Sequence, residues 1–187
     1  MRKLMRQGGF TLIEVVMVMV VMGAMIAIAG PRMRMSPLRK VSQVATQLAN
    51  DVELARTRAM STSSGVRVAF NATGTRYQGF LDENRDGAFA ESVAERNALR
   101  AFGERALPSY LTFGRGSAGP VPGDSLPGAI TFTNDRVDFD PRGVTSPFGV
   151  RGTVYIAHKD YPDAVAAVSV SPSASLVVWV YRNGAWQ

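Results

Sequence analysis

The 187-residue chain contains no cysteine. Disulfides, thiolate nucleophiles and cysteine-ligated metal sites are therefore all excluded. It has one histidine, His158, and no Walker loop, dinucleotide fingerprint, nucleophile elbow or zinc-ligand spacing. A Ser-His-Asp device would have to be gathered around His158 by folding alone; a lone histidine is more commonly a surface or internally satisfied side chain, so an enzyme is the class with least support. The length excludes a large multidomain enzyme and leaves room for one domain of about 100–150 residues plus an appendage. Excess charge is scarce too. The formal net charge is +6, and Arg2, Lys3 and Arg6 near the start account for three of those units, leaving +3 on the remainder. That is ordinary for a soluble domain and weak ground for nucleic-acid binding.

What the sequence does have is an apolar run from Phe10 to Ala29 in which Glu14 is the one charged residue. Twenty such residues suffice to cross a bilayer. Eight of the nine methionines precede Ser36, so the first 35 residues and the rest are read separately. Basic residues, an apolar run and Ala27-Ile28-Ala29 before Gly30 fit a secretory signal with an A-x-A cleavage site. A plain membrane anchor fits as well. Neither explains Glu14, since a carboxylate at the centre of an apolar span costs roughly 2.5–3.5 kcal/mol and usually has a partner. Met17, Met19, Met22 and Met25 read as flexible packing side chains rather than metal-transfer ligands.

The junction Gly8-Gly9-Phe10-Thr11-Leu12-Ile13-Glu14, behind a short basic leader, resembles the class III leader of type IV pilins and type II secretion pseudopilins. The resemblance implies that residues 1–9 are a leader cut by prepilin peptidase between Gly9 and Phe10, that Phe10 is then N-methylated, and that Glu14 is the assembly glutamate. The physical logic agrees. Cleavage creates a positive amine on Phe10, one helical turn from Glu14; a neighbouring subunit could offer its own amine to Glu14 instead, pairing two charges that are each costly in lipid. Basic residues flank the span on both sides, so orientation with the leader in the cytoplasm rests on the resemblance alone.

Beyond the span of residues 10–30, Gly30-Pro31 predicts a bend, and Pro31 falls where pilins commonly carry a proline. Residues 31–64 are read as a connector and an amphipathic helix. Ser36 is a candidate N-cap with Pro37 in the first turn. Val41, Val44, Ala45, Leu48, Val52, Ala55 and Ala59 form its apolar face, and Gln43, Gln47, Asn50, Glu53, Arg56 and Arg58 form a solvated one. The helix should end between Thr62 and Gly65. Residues 65–187 read as a β-rich domain. A hairpin is expected from Val66–Phe70 and Thr75–Leu81 around Asn71–Gly74. Further strands are expected at Ala98–Phe102, Tyr110–Phe113, Ala129–Thr133, Arg136–Phe139, Gly152–His158, Ala164–Val170 and Leu176–Tyr181. The stretch Gly114–Gly128, with five glycines and three prolines, reads as an exposed loop. The fold class expected is α+β: a long N-terminal helix, half transmembrane and half amphipathic, packed on an antiparallel sheet domain.

This half resembles the GspH/FimT-like minor pseudopilins in three ordered stretches. These are Gly79–Gly87, then Ile130-Thr131-Phe132 with Val137–Gly143, then Gly152–Ile156. The resemblance implies a non-enzymatic filament subunit without cofactor, held in the bacterial inner membrane with its globular part in the periplasm. Its implied partners are prepilin peptidase, other pseudopilins or pilins, and an inner-membrane assembly platform. Relatives implicated in DNA uptake end in Gly-Arg-x-Arg, whereas this chain has Tyr181-Arg182-Asn183-Gly184. The alternative of a DNA-binding minor pilin would use Arg67, Arg76, Arg142, Arg151 and Arg182 as a basic stripe, with Tyr155, Trp179 or Trp186 for stacking. Asp82, Asn84, Asp86 and Gly87 follow the opening of a calcium loop, but Val93 stands at the twelfth position, so an acidic turn is favoured over a weak calcium site.

Overall fold

The computed structural model describes residues 10–29, 36–89 and 103–187. The leader 1–9, the Gly30-Pro31 bend, Val93 and the strand expected at Ala98–Phe102 lie outside them. The chain divides into two units, residues 1–36 and 37–187. In the first, helix α1 covers Leu12–Ala29. Thr11 opens it, its carbonyl accepting the Glu14 N–H at 3.1 Å and its hydroxyl lying 3.4 Å from the same nitrogen. Phe10 and Thr11 thus stand outside the helix. At about 1.5 Å per residue its 18 residues reach roughly 27 Å, just under a hydrocarbon core of about 30 Å. Among the described residues no helix is long and apolar enough to cross a membrane.

The second unit begins with helix α2, Pro37–Thr62, bounded where the proline and the Ser/Thr/Gly cluster place its ends. Val41, Ala45, Leu48, Val52, Ala55 and Ala59 are at most 1% exposed. Among the described residues ten strands follow, in two five-stranded antiparallel sheets: β1 (Val66–Asn71), β2 (Arg76–Leu81), β3 (Arg105–Ala106), β4 (Leu111–Phe113), β5 (Arg136–Phe139), β6 (Thr145–Ser146), β7 (Gly152–His158), β8 (Val165–Val170), β9 (Leu176–Arg182) and β10 (Ala185–Trp186). The first sheet has the order β3-β2-β1-β5-β6 and the second β10-β9-β8-β7-β4. The expected hairpin is β1–β2, in register from Val66 opposite Leu81 to Asn71 opposite Arg76, its turn held by the Gly74 N–H donating to Asn71 Oδ1 at 2.7 Å.

One core joins α2 to both sheets. Val66, Val68, Val137 and Phe139 from the first sheet meet Val154, Ile156, Ala166 and Val168 from the second in the same cluster as the α2 stripe. Aromatic rings close its edge: Phe70 stacks on Phe132 at 5.9 Å and meets Phe113 edge-on at 6.4 Å. Phe132 lies directly on Gly152, where an added Cβ would sit 2.5 Å from the ring.

Two expectations are corrected. Ala129–Thr133 is not a strand. Only Ile130 bridges to Val154, after which Phe132 turns inward and the chain reverses through a 3-10 turn, Thr133–Asp135, with Asn134 and Asp135 in the left-handed region. Nor is Gly114–Gly128 merely an exposed loop. It folds over the outer face of the second sheet, burying Ala118 and Val121, and Val121 packs with Tyr155, Ala167, Trp179 and Trp186. With a cover on each side, β7 is buried at all seven positions, a continuous pattern instead of the alternation of a sheet wet on one face.

Gly116 fixes this cover. Its φ is +51°, and an added Cβ would fall 2.1 Å from the Pro162 carbonyl oxygen, the acceptor of the Ser117 N–H. Gly116→Ala is expected to lower the unfolding free energy by about 1–3 kcal/mol, read from denaturant titrations in detergent. Gly119, with open space around it, should tolerate alanine within about 0.5 kcal/mol. Equal stability of the two variants would show that the cover is not clamped.

Candidate functional site

The surface of α1 is the most unusual feature. Every large apolar side chain from Phe10 to Ile26 is exposed, from 45% at Val15 to 83% at Leu12. A helix apolar all round has no face suited to water and belongs inside a larger apolar body. Glu14 sits in its first turn, where the helix dipole favours a negative charge.

The residues weighed for chemistry are engaged elsewhere. Asp82 is buried and its two carboxylate oxygens accept the N–H groups of Asp86 at 3.2 Å and Gly87 at 2.9 Å. Asn84 donates to Asp86 Oδ2 at 2.7 Å, and Asp86 Oδ1 accepts the Ala88 N–H at 2.8 Å. The three side chains thus hold their own turn, with Gly87 at φ +83°. Among the described residues no group of three or more His, Cys, Asp or Glu is placed to hold a metal ion. His158, at the end of β7, is packed between Tyr110 (5.6 Å) and Tyr161 (5.0 Å). Its Nδ1 accepts the Asp160 N–H at 3.1 Å, which leaves the proton to Nε2 in the neutral ring.

The five arginines are spread over both sheets and their flanking turns, and three of them are paired with acids. Arg67 makes a two-pronged pair with Asp138 across β1–β5, at 2.7 and 2.8 Å, and carries Phe89 on its face at 4.1 Å. Arg76 pairs with Glu104 and Arg142 with Asp140. Arg151 and Arg182 belong to the second sheet and its flank. Tyr155 is wholly buried and cannot stack on a base. The indole N–H groups of Trp179 and Trp186 donate to Ser169 Oγ and the Gly119 carbonyl. Burial raises Asp140, but hydrogen bonds from the Arg142 side chain and the Val144 and Arg142 N–H groups outweigh it and hold the carboxyl below its usual value. The stability this lends is present above the ordinary Asp pKa and is lost as the pH falls through the depressed one.

Two buried polar clusters escaped the sequence reading. Asp51, on the covered side of α2, accepts the Tyr77 hydroxyl at 2.7 Å and faces Arg105 Nε at 2.9 Å. Burial raises the Asp51 carboxyl despite these partners. The signal was present, because Asp51 stands three residues after Leu48 and four before Ala55 on the apolar stripe, where a carboxylate needs a partner. On the outer face of the second sheet, Tyr155 donates to Asp124 Oδ2 at 2.7 Å and accepts the Val121 N–H at 3.0 Å, while Arg115 lies over its ring at 4.2 Å. Burial, opposed by the Val121 N–H and reinforced by Asp124, pushes the phenol up to about 12. No sequence spacing connects these residues. Both clusters hold elements together and neither presents a nucleophile beside a base.

Comparisons with known proteins agree with this fold. Residues 4–30 match the prokaryotic N-terminal methylation motif, and residues 44–174 match the family Type II transport protein GspH. Two structures of the minor pseudopilin EpsH from the type II secretion system of Vibrio cholerae are similar. One has TM-score 0.52 at 13% identity, covering 75% of this chain and 97% of that one; the other has 0.53 at 12%, covering 79% and 100%. The type IV minor pilin FimU of Pseudomonas aeruginosa gives 0.50 at 13%, covering 80% and 93%. At such identities the likeness is one of fold. A search of the curated proteins found no match. The fold is pilin-like, and the N-terminus carries the methylation motif. The chain belongs to the type II transport protein GspH family.

The Asp51 cluster is open to test by unfolding. Asp51→Ala removes the acceptor of the Tyr77 hydroxyl and the carboxylate facing Arg105 and is expected to cost about 2–4 kcal/mol. Tyr77→Phe removes one hydrogen bond and should cost about 1–2 kcal/mol. The reverse order of the two variants would show that Asp51 is not the hub.

Proposed function

We propose that this chain is a minor pseudopilin, a non-enzymatic filament subunit made as a precursor, cut between Gly9 and Phe10 by prepilin peptidase and N-methylated on Phe10. Residues 10–30 then lie in the inner membrane, residues 31–64 connect and stiffen, and residues 65–187 form the periplasmic part. Assembly runs through the N-terminal helix onto other pseudopilins at an inner-membrane platform, with Glu14 receiving a neighbour's amine. The surface of α1 carries this reading: it is apolar on every side, with Glu14 as its single charge, so it needs lipid or other apolar helices around it. The match of residues 4–30 to the methylation motif supports the processing step. The gap between an 18-residue helix and a full span is small enough for local thinning or flanking residues to close it.

Mass spectrometry of the protein from a host with prepilin peptidase should find a mature N-terminus at methylated Phe10, and Gly9→Val should retain the leader. A mature N-terminus at Gly30 would establish secretory cleavage and overturn the proposal. Glu14→Leu should insert as well as the native chain, because a costly carboxylate is removed, yet lose crosslinks to partner pseudopilins. Crosslinks that persist unchanged would remove Glu14 from assembly.

A further inference from the structure

The chain contains three lysines, at positions 3, 40 and 159, against eighteen arginines. Two of the three meet around one tyrosine. Lys40, in the first turn of α2, places its ammonium 5.1 Å from the centre of the Tyr110 ring. Lys159, just past β7, donates from Nζ to the Ser109 carbonyl at 2.6 Å and from its backbone N–H to the Tyr110 carbonyl at 3.0 Å. Tyr110 is 36% exposed and Tyr161 55% exposed, with His158 between them as a buried spacer. The exposed acids here are Asp160 and Asp163. Asp163 accepts the Ser117 hydroxyl, so part of its acceptor capacity is already used.

We infer that this patch of Tyr110, Tyr161, Lys40 and Lys159 rests on the phospholipid headgroup layer. Tyrosines and lysines share an apolar body with a polar tip, which suits the boundary between lipid and water. Their ammonium and phenol groups donate to phosphate oxygens. Chain length supplies the second argument, and it rests on the proposal that residues 10–30 lie in the membrane. Seven residues, 30–36, separate α1 from α2 and span at most about 25 Å, so the first turn of α2 cannot leave the bilayer surface by more than that. Lys40 belongs to that turn. Towards the other end of α2, Arg56, which donates to the Gly143 carbonyl, is about 24 Å further along the helix.

The test uses the full chain, one copy per nanodisc, with a gadolinium chelate on a fraction of the lipid headgroups. Amide relaxation enhancement should be several-fold greater at Lys40, Tyr110, Lys159 and Tyr161 than at Gly143 and Phe148. In Lys159→Glu/Tyr161→Ser, which alters exposed side chains only, the enhancement at Tyr110 and at positions 159 and 161 should fall several-fold while Leu12–Ile26 stays shielded from a water-soluble relaxation agent. An unchanged pattern in that variant, with α1 still shielded, would overturn the docking and leave the membrane reading intact. Loss of shielding along α1 in the native chain would overturn both. Enhancement or protection at the patch seen only with two chains per disc would assign it to a second copy and overturn the lipid assignment.

Discussion

The apolar stripe of α2 is the constraint on which the second unit depends. One helix face serves both sheets, and it combines the small Ala45, Ala55 and Ala59 with the larger Val41, Leu48 and Val52. The small residues let strands of either sheet come close; the larger ones fill the wedge between them. Without disulfides, that shared wall carries the burden of joining two sheets whose edge strands are only two or three residues long. Such short edges offer little template for pairing with another chain.

Polar groups then fix what the stripe alone leaves loose. Apolar burial is non-directional, so it cannot set how α2 is rotated or how far it slides along the strands. Asp51 can, because its carboxylate must reach both Tyr77 on β2 and Arg105 on β3. At the far end Arg56 donates to the Gly143 carbonyl, where the left-handed Gly143 brings the turn against Met60. The outer face of the second sheet repeats the device, with Tyr155 reaching Asp124 through the covering loop.

Legibility in the sequence followed the range of the interactions. The α2 stripe and the β1–β2 hairpin were readable because their signals lie within a few residues: apolar spacing, Pro37 at the helix start, an Asn-Ala-Thr-Gly turn. Strands β7, β8 and β9 were readable from β-branched content. The strands missed, β3, β6 and β10, are two residues long and exist only because a neighbour pairs with them. The Gly114–Gly128 segment was misjudged for a related reason. Its glycines and prolines describe local backbone freedom, whereas its burial comes from Tyr155, Trp179 and Trp186, which lie 27 or more positions beyond its end. Of the chemistry, Glu14 was visible as a charge in an apolar run, and Asp51 could have been found by the same logic applied to α2. The pairing of Arg67 with Asp138, 71 residues apart, could not.

The two units therefore differ in what they leave undone. Residues 37–187 bury β7 and most of β8 on both faces within one chain. Helix α1 buries almost nothing by itself, and its apolar surface attracts lipid and other helices alike, in any axial register. Under the proposed assembly, that leaves Glu14 to choose the register. Apolar packing between α1 helices changes little when one slides past another by a turn, but an unpaired carboxylate in lipid is penalised wherever no amine meets it. One charge on an otherwise featureless helix converts a slippery contact into one with a single preferred offset. That requires the charge to be solitary: a second acidic residue along α1 would create a second offset of similar energy, and from Leu12 to Ala29 the helix carries no other.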